Sequence, residues 1–511
     1  MKLARIKTHF SLWREWELNP IVLKELRQAV RSWAVTAMLL LLLLVLFVVA
    51  MAVLVNQSFE VNVNEQLGGD LFRGFLVVLA GAGILFIPLY LGLRVAAERQ
   101  DNNPDLLYIS TLSPGRIIRG KFYCGAYVTL LFFSACLPFM ALTNLLRGVD
   151  LPTVFFLLAC LFLVICSVNL AAIFIACLPI SKMFKIALSL AGFFCLFSLL
   201  SAVTVAGFEL MREGVGSMMF RHEFWDAFLS FLLLAAAAGG LFYVLSVALI
   251  SPPSANRALV PRVYLTVIWL LGGLLAAYAA LTSGQPLLIF VWTYISSVVL
   301  VAALVVTISN HDQLSARVQR TIPKFAVPRL LAFGFYNGAA GGLVWVAALT
   351  LLTYWGTMGF LHVAGSATLV PLLQEGGQFF TGFYPPMALY LFAYALFALV
   401  IRRRFMPRLA PKIAGILAVF ITAITALGTN IVLFFMNELS WRSADHLQLG
   451  NAFNLMTEHE ANQYIEHLVF ALGLLLVAGI LNTSWFFAQW KYFRRPAAAN
   501  PPAPAAPPQP D

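Results

Sequence analysis

The stretch Ala34–Val55, AVTAMLLLLLLVLFVVAMAVLV, decides the fold. It contains no charged residue, and as a helix it is long enough to cross about 30 Å of hydrocarbon. Backbone N–H and C=O groups find no water inside a bilayer, so a spanning segment must satisfy them internally as an α-helix. This stretch therefore predicts a transmembrane helix.

Eleven further apolar stretches of similar length follow the first. The 511-residue chain is 61% apolar and 11% charged, with a mean hydropathy of +0.88, far from the composition of soluble domains. The predicted spans are 34–55, 75–93, 122–145, 154–178, 184–208, 227–250, 263–282, 287–308, 334–356, 380–401, 413–436 and 467–489. The segments between them are too short for a soluble catalytic domain. We expect an all-α polytopic membrane protein that is not an enzyme and needs no cofactor.

The distribution of Lys and Arg indicates the orientation. With the N-terminus placed inside, only five of the 33 basic residues fall in outer segments, namely Arg73, Arg147, Arg212, Arg221 and Arg442. Cytoplasmic loops carry this excess of basic residues, so both termini are predicted to be cytoplasmic, in the plasma (inner) membrane. The formal net charge of +11 then reflects topology and attraction to anionic lipid, and it does not indicate nucleic-acid binding.

The segment 1–33 is predicted to be an amphipathic elbow on the cytoplasmic side. Asn19 is placed to cap a helix whose first residue is Pro20. Leu23, Leu26 and Val30 share one face of this helix, and a separate face is basic. The helix is expected to lie in the membrane interface, with its apolar face in lipid. The polar residues assigned to this elbow are Lys24, Glu25, Arg27 and Arg31.

The spans divide into two predicted halves of six, 34–250 and 251–489, followed by a Pro/Ala-rich tail, 490–511, that we expect to be disordered. The third span of each half begins with a similar stretch, KFYCGA at Lys121–Ala126 and GFYNGA at Gly334–Ala339. This match suggests a parallel repeat of the kind that transporters use. A single permease half with an added membrane module remains the alternative.

The inner loop 94–121 carries the most informative polar sequence, ERQDNNPDLLYISTLSPGRIIRGK at Glu98–Lys121. Leu106–Leu112 has the apolar spacing of a short helix that packs on another surface, and Asp101, Asn102 or Asn103 is placed to cap it. Gly115–Lys121 matches the first seven positions of a phosphate-binding loop. Phe122, however, occupies the eighth, where magnesium needs a hydroxyl. Nucleotide binding by this chain is therefore not expected.

No metal site or ion-coupling site is predicted either. His459 and His467 are eight residues apart, and we interpret them as part of a solvated approach to the last span. The cysteines form no C-x-x-C pair. The centres of the spans contain no Asp, Glu, Lys, Arg or His, which argues against secondary active transport.

Two stretches resemble one known family. Asn19–Gln28 looks like the amphipathic elbow of type-2 ATP-binding-cassette (ABC) exporter permeases. The loop is similar to that family's inner loop, which has an acidic residue, an acidic-Leu-Leu element, a Ser-Pro turn and a Gly-Lys pair entering the third span. The resemblance covers residues 19–33 and 98–125. The residues that it and the capping pattern assign to ATPase docking are Glu98, Asp101, Asp105, Leu106, Leu107, Thr111, Pro114 and Lys121.

The resemblance implies a permease subunit whose coupling helix docks on a separate ATP-hydrolysing subunit. It leaves open whether the working transporter is a dimer or includes a second permease subunit, and it does not indicate the substrate. Family members commonly have six spans rather than twelve. The corresponding loop of the second half, 309–333, lacks the acidic-Leu-Leu pattern, so the resemblance gives no basis for assigning ATPase docking to it.

Two other classes of multi-span membrane protein are alternatives. A lipid-linked glycosyltransferase or ligase would need outer carboxylates, for which Glu60, Glu65 and Asp70 are the candidates. A carrier of the major-facilitator type would have a long central inner loop, but the segment 251–262 is short. The permease interpretation explains more of the sequence than either alternative.

Overall fold

A computed structural model describes residues 20–58, 67–101, 113–146, 149–179, 182–283, 287–364, 370–436, 448–453 and 461–495. These residues form helices joined by turns, with no strand among them. Twelve of the helices are long and apolar enough to span a membrane, and each overlaps one predicted span. The prediction of an all-α polytopic membrane protein is therefore confirmed.

The chain divides into two compact units, Met1–Pro252 and Pro253–Asp511. The helices of the first unit are α1 (Pro20–Val30), α2 (Trp33–Ser58), α3 (Leu67–Gly81), α4 (Ile87–Asp101), α5 (Pro114–Leu145), α6 (Leu151–Cys177), α7 (Lys182–Glu213), α8 (Val215–Met218) and α9 (His222–Ile250). A π-helical turn, Ala82–Phe86, joins α3 to α4, so these helices form one continuous span.

The core of the first unit lies between α3, α5 and α6. Phe72 and Phe75 on α3, Phe132 on α5 and Ile165 on α6 are completely buried there. Lipid tails are as apolar as these side chains, so the hydrophobic effect does not drive the helices together. Close van der Waals packing holds them instead.

The helices of the second unit are α10 (Leu259–Ser283), α11 (Leu287–Ile308), α12 (Ala316–Arg320), α13 (Ala326–Phe335), α14 (Ala339–Ala364), α15 (Val370–Phe405), α16 (Lys412–Ala423), α17 (Thr429–Met436) and α18 (Ala461–Tyr492). A second π-helical turn, Ile424–Gly428, joins α16 to α17. Helices α15 and α18 pack closely along their length, as do α11 and α14.

The predicted span 334–356 is wrong at its beginning, because the chain breaks between α13 and α14. Gly338 has a φ of 132°, a conformation that favours glycine, and it separates the two helices. The buried side chain of Arg262 crosses the break and donates to the carbonyl oxygens of Gly334 at 2.8 Å and Tyr336 at 2.6 Å. These bonds satisfy carbonyls that the end of α13 leaves without a helical partner.

The two stretches that suggested a repeat therefore have different conformations. Lys121–Ala126 lies within the continuous helix α5, whereas Gly334–Ala339 contains the break after α13. The local match in sequence is not a match in structure.

Candidate functional site

A buried network of ion pairs lies in the first unit where α1, α4 and α5 meet. The Lys121 ammonium on α5 is 3.1 Å from Glu25 Oε1 on α1, and it also pairs with the carboxylate of Glu98 on α4. Arg94, one helical turn before Glu98, places its Nε 3.3 Å from Glu25 Oε2. Two acids and two bases balance each other, and we call these four residues the charge network.

Hydrogen bonds complete the surroundings of Arg94. Its guanidinium donates to the hydroxyl of Tyr90 at 2.8 Å and to the side-chain oxygen of Gln28. The side chains of Glu25 and Lys121 are only 4% and 11% exposed. Charges so far from water are tolerated only when they are paired and hydrogen-bonded, and both carboxylate oxygens of Glu25 have a cationic partner.

Helix α1 reaches the network because one of its faces packs on α5. Val22, Glu25 and Ala29 lie on this face and are almost fully buried. Leu23 and Val30 lie on a different face and are 41% and 69% exposed, as a helix at a lipid surface requires. The sequence placed Glu25 among the interfacial residues, whereas the structure places it inside the protein.

The remaining elbow residues occupy the positions that the periodicity indicates. Pro20 is the first residue of α1, and Lys24, Arg27 and Arg31 are exposed. Asn19, the predicted cap, lies outside the described residues.

The structure describes only the two ends of the predicted docking loop. Glu98, at the start of the loop, pairs with Lys121 at its end. Pro114 is the first residue of α5, directly after Ser113. Asp101 is the last residue of α4, and nothing is described of its side chain. Asp105, Leu106, Leu107 and Thr111 lie outside the described residues.

Gly115–Lys121 forms the first two turns of α5 and not a loop. A phosphate-binding loop needs several backbone N–H groups turned toward one anion, and helical hydrogen bonding uses those groups. Among the described residues, no group of three His, Cys, Asp or Glu side chains is placed to hold a metal ion.

Sequence reasoning missed Arg94, Tyr90 and Gln28. Arg94 and Glu98 are four residues apart on a helix, which is the spacing of a local ion pair, and this signal was available. The contacts of Glu25 offered no such signal, since its two cationic partners are far from it along the chain.

The interpretation of His467 as solvated is wrong. This side chain is only 2% exposed, and its Nδ1 lies 3.2 Å from the hydroxyl of Tyr390 on α15. The backbone N–H of Gly450 donates to the same hydroxyl at 3.2 Å, while Tyr394 donates to the Gly450 carbonyl. These hydrogen bonds hold the segment 448–453, which precedes α18 in the sequence, against α15.

The outer carboxylates proposed for a glycosyltransferase gain no support from their placement. Asp70 pairs with Arg73 at 3.2 Å, and both side chains are more than two-fifths exposed. Glu60 and Glu65 lie outside the described residues.

Comparisons with protein-family models, with curated proteins and with solved structures found no match for this chain.

Proposed function

We propose that this chain is the membrane-spanning permease subunit of an ABC-type exporter, driven by a separate ATPase subunit that docks on the loop 98–121. The observation that carries the proposal is the charge network. It joins the two helices that flank the loop to each other through Glu98 and Lys121, and it joins both to α1 through Glu25.

The network supports this function because force applied to the loop needs a stiff connection to the membrane helices. A loop joined to two independent helix ends would yield locally, and little motion would reach the spans. With Lys121 paired to Glu98, the ends of α4 and α5 move together. Since Glu25 pairs with Lys121 and Arg94, α1 follows the same motion.

The network also suggests that different residues of the loop position it and contact the ATPase. Glu98 and Lys121 are engaged with each other and with α1, so they position the loop. Contact with the ATPase is then assigned to the residues between them, chiefly Asp105, Leu106 and Leu107. An acid beside two leucines suits a short helix that inserts into a partly basic, partly apolar cleft.

The orientation belongs to the same proposal. The excess of Lys and Arg in alternate segments places the loop 98–121 and both termini on the cytoplasmic side of the plasma membrane, where ATP is available.

A docking variant with a matched control tests the proposal. We expect Asp105→Lys combined with Leu106→Asp to abolish co-purification of an ATPase subunit, measured by mass spectrometry and by ATP hydrolysis of the purified sample. Lys324→Glu combined with Phe325→Asp also reverses one charge and replaces one apolar side chain by an acid, at exposed positions of the second unit, and it should retain the ATPase. Thermal unfolding of both variants would confirm that the membrane domain remains folded. Equal recovery of ATPase with the two variants would refute the docking assignment.

A further inference from the structure

A groove of about 620 Å³ lies within the second unit, between α14, α15 and α18. Its lining is almost entirely apolar and includes Leu351 and Trp355 on α14, Phe392 on α15 and Gly479 on α18. This volume is within the range of about 300–1,000 Å³ that is typical of small-molecule sites. The groove is therefore large enough for one extended apolar ligand.

The surroundings of the groove indicate what fills it. Trp355 and Leu351 are 66% and 59% exposed, so the groove opens toward the surface that the bilayer covers. An empty groove in hydrocarbon would forfeit van der Waals contacts along its whole lining. Burial of apolar surface gives no net gain inside a bilayer, so affinity for one particular occupant must come from shape and from polar contacts.

Two side chains with polar atoms mark one end of the groove, and their own hydrogen bonds are made within the protein, to Arg403, to backbone carbonyls and to Asp312. Asn482 and Trp485 on α18 line this end. Arg403 on α15 donates to Asn482 Oδ1, and its guanidinium carbon lies 4.5 Å from the centre of the Trp485 ring. A second bond, from Arg403 Nε to the Leu399 carbonyl at 3.1 Å, fixes the orientation of the guanidinium. An arginine is thus held directly behind the polar lining of the groove.

The charge at this end is predominantly positive. Arg402, Arg403 and Arg404 are consecutive in the last turn of α15, and Arg402 Nε is buried with no hydrogen-bond partner among the described residues. Asp312 lies close to Arg402 and Arg403, and its Oδ2 accepts a bond from Trp485 Nε1 at 3.2 Å. Two guanidinium groups near one carboxylate, with Arg404 the next residue along the helix, favour an anionic group, and arginine is well suited to bind phosphate.

We propose that this groove binds one acyl chain of an anionic membrane phospholipid, with the phosphate headgroup at the end formed by Arg402, Arg403 and Arg404. The tail lies along α14, α15 and α18, and the headgroup reaches the arginines where Asn482 and Trp485 end the apolar lining. This site is independent of ATPase docking, since it is built from the second unit alone.

The chain offers a matched pair of glycines for the test. Gly479 lines the groove, whereas Gly473 lies on the same helix outside the lining, and a side chain added at either position meets open space. Gly479→Leu therefore fills the groove without overpacking the protein, and Gly473→Leu adds the same group elsewhere. Arg403→Gln removes a charge at the groove end, Arg404→Gln does so at an exposed neighbour, and Arg408→Gln removes one from an exposed position beyond the helix.

The measurement is native mass spectrometry of the purified full-length protein, titrated with phosphatidylglycerol or with phosphatidylcholine of identical acyl chains. For the unmodified chain we expect about tenfold tighter binding of phosphatidylglycerol, because both headgroups carry a phosphate but only phosphatidylcholine also carries a cation, which nearby arginines repel. Gly479→Leu should abolish the tight binding of phosphatidylglycerol, and Gly473→Leu should retain it. Arg403→Gln and Arg404→Gln should each reduce the preference for phosphatidylglycerol, and Arg408→Gln should not.

Three results would overturn the proposal. Equal affinity for the two lipids would show that the arginine end does not select the headgroup. Equal lipid binding by the two leucine variants would place any lipid outside the groove. A change in oligomeric state with Gly479→Leu, at unchanged lipid binding, would identify the groove as a contact between copies of the chain. If Arg403→Gln lowers the thermal unfolding temperature, Arg404→Gln and the glycine pair still decide the outcome.

Discussion

Glu25 is an acid on a helix that the sequence assigns to the membrane interface, yet its side chain is 4% exposed. It is stable there because Lys121 and Arg94 approach its two oxygens separately. Removing the carboxylate would leave both cations buried with one partner fewer. Breaking a buried pair in this way costs about 3–5 kcal/mol.

This cost gives a prediction for a single residue. We expect Glu25→Ala to lower the thermal unfolding temperature of the detergent-solubilised protein clearly. Lys24→Ala, at an exposed position on the same helix, should leave it nearly unchanged. If the two variants unfolded at the same temperature, the charge network would not be holding α1 to α5.

Asp312 permits a prediction about pH. Burial raises the pKa of its carboxyl group, in spite of the bond from Trp485 and the nearby charges of Arg402 and Arg403. Because this pKa is higher in the folded than in the unfolded chain, the Asp312 carboxyl group stays protonated to a higher pH in the folded state. Stability therefore falls as pH rises from the ordinary carboxyl pKa of about 4 through the raised folded-state pKa.

An uncharged side chain at this position would avoid that loss. We expect Asp312→Asn to unfold at a higher temperature than the unmodified protein at pH 7.5, because its amide oxygen can still accept from Trp485. The difference should diminish as the pH is lowered below about 4, because the unmodified carboxyl group then becomes protonated in both states. A lower unfolding temperature for Asp312→Asn at pH 7.5 would contradict this account.

At the scale of elements, the break between α13 and α14 is the feature that hydropathy could not reveal. The stretch 334–356 carries no charge and is mostly apolar, so a continuous span was the natural prediction. The break depends on Arg262, which caps α13 from another helix, and on small residues that let the two helices approach. A side chain on Gly341 would place its Cβ 1.9 Å from the carbonyl oxygen of Phe333, a backbone atom that cannot rotate away.

The close approach predicts opposite outcomes for two glycines on α14. Gly341→Ala should destabilise the protein by about 1–3 kcal/mol, the usual cost of overpacking. Gly356→Ala, where the added methyl group meets nothing within 4 Å, should be neutral or slightly stabilising, since alanine favours helix more than glycine. Chemical unfolding of both variants in detergent compares them directly. Equal stability would show that α13 does not end against α14 as described.

At the scale of the whole molecule, the sequence predicted the twelve spans because lipid imposes one requirement on every one of them. Each must be long, apolar and helical, and this can be recognised within a window of about 20 residues. The candidate site was predicted only in part. Glu98 and Lys121 were named from a motif, but the bond from Lys121 to Glu25 joins residues 96 positions apart, and no local spacing indicates such a pair.

The orientation of the chain in the membrane is predicted from the excess of Lys and Arg in alternate segments, and it can be tested directly. Alkaline phosphatase needs disulfides, so it is active only when a fusion places it in an oxidising compartment. We expect it to be inactive when fused after Asp511 and active when fused after Val149, between α5 and α6. A green fluorescent protein fusion should give the reverse pattern, which would exclude poor expression as the cause. Activity of the phosphatase at Asp511 would place the loop 98–121 on the side of the membrane opposite to cytoplasmic ATP. This result would contradict the permease proposal.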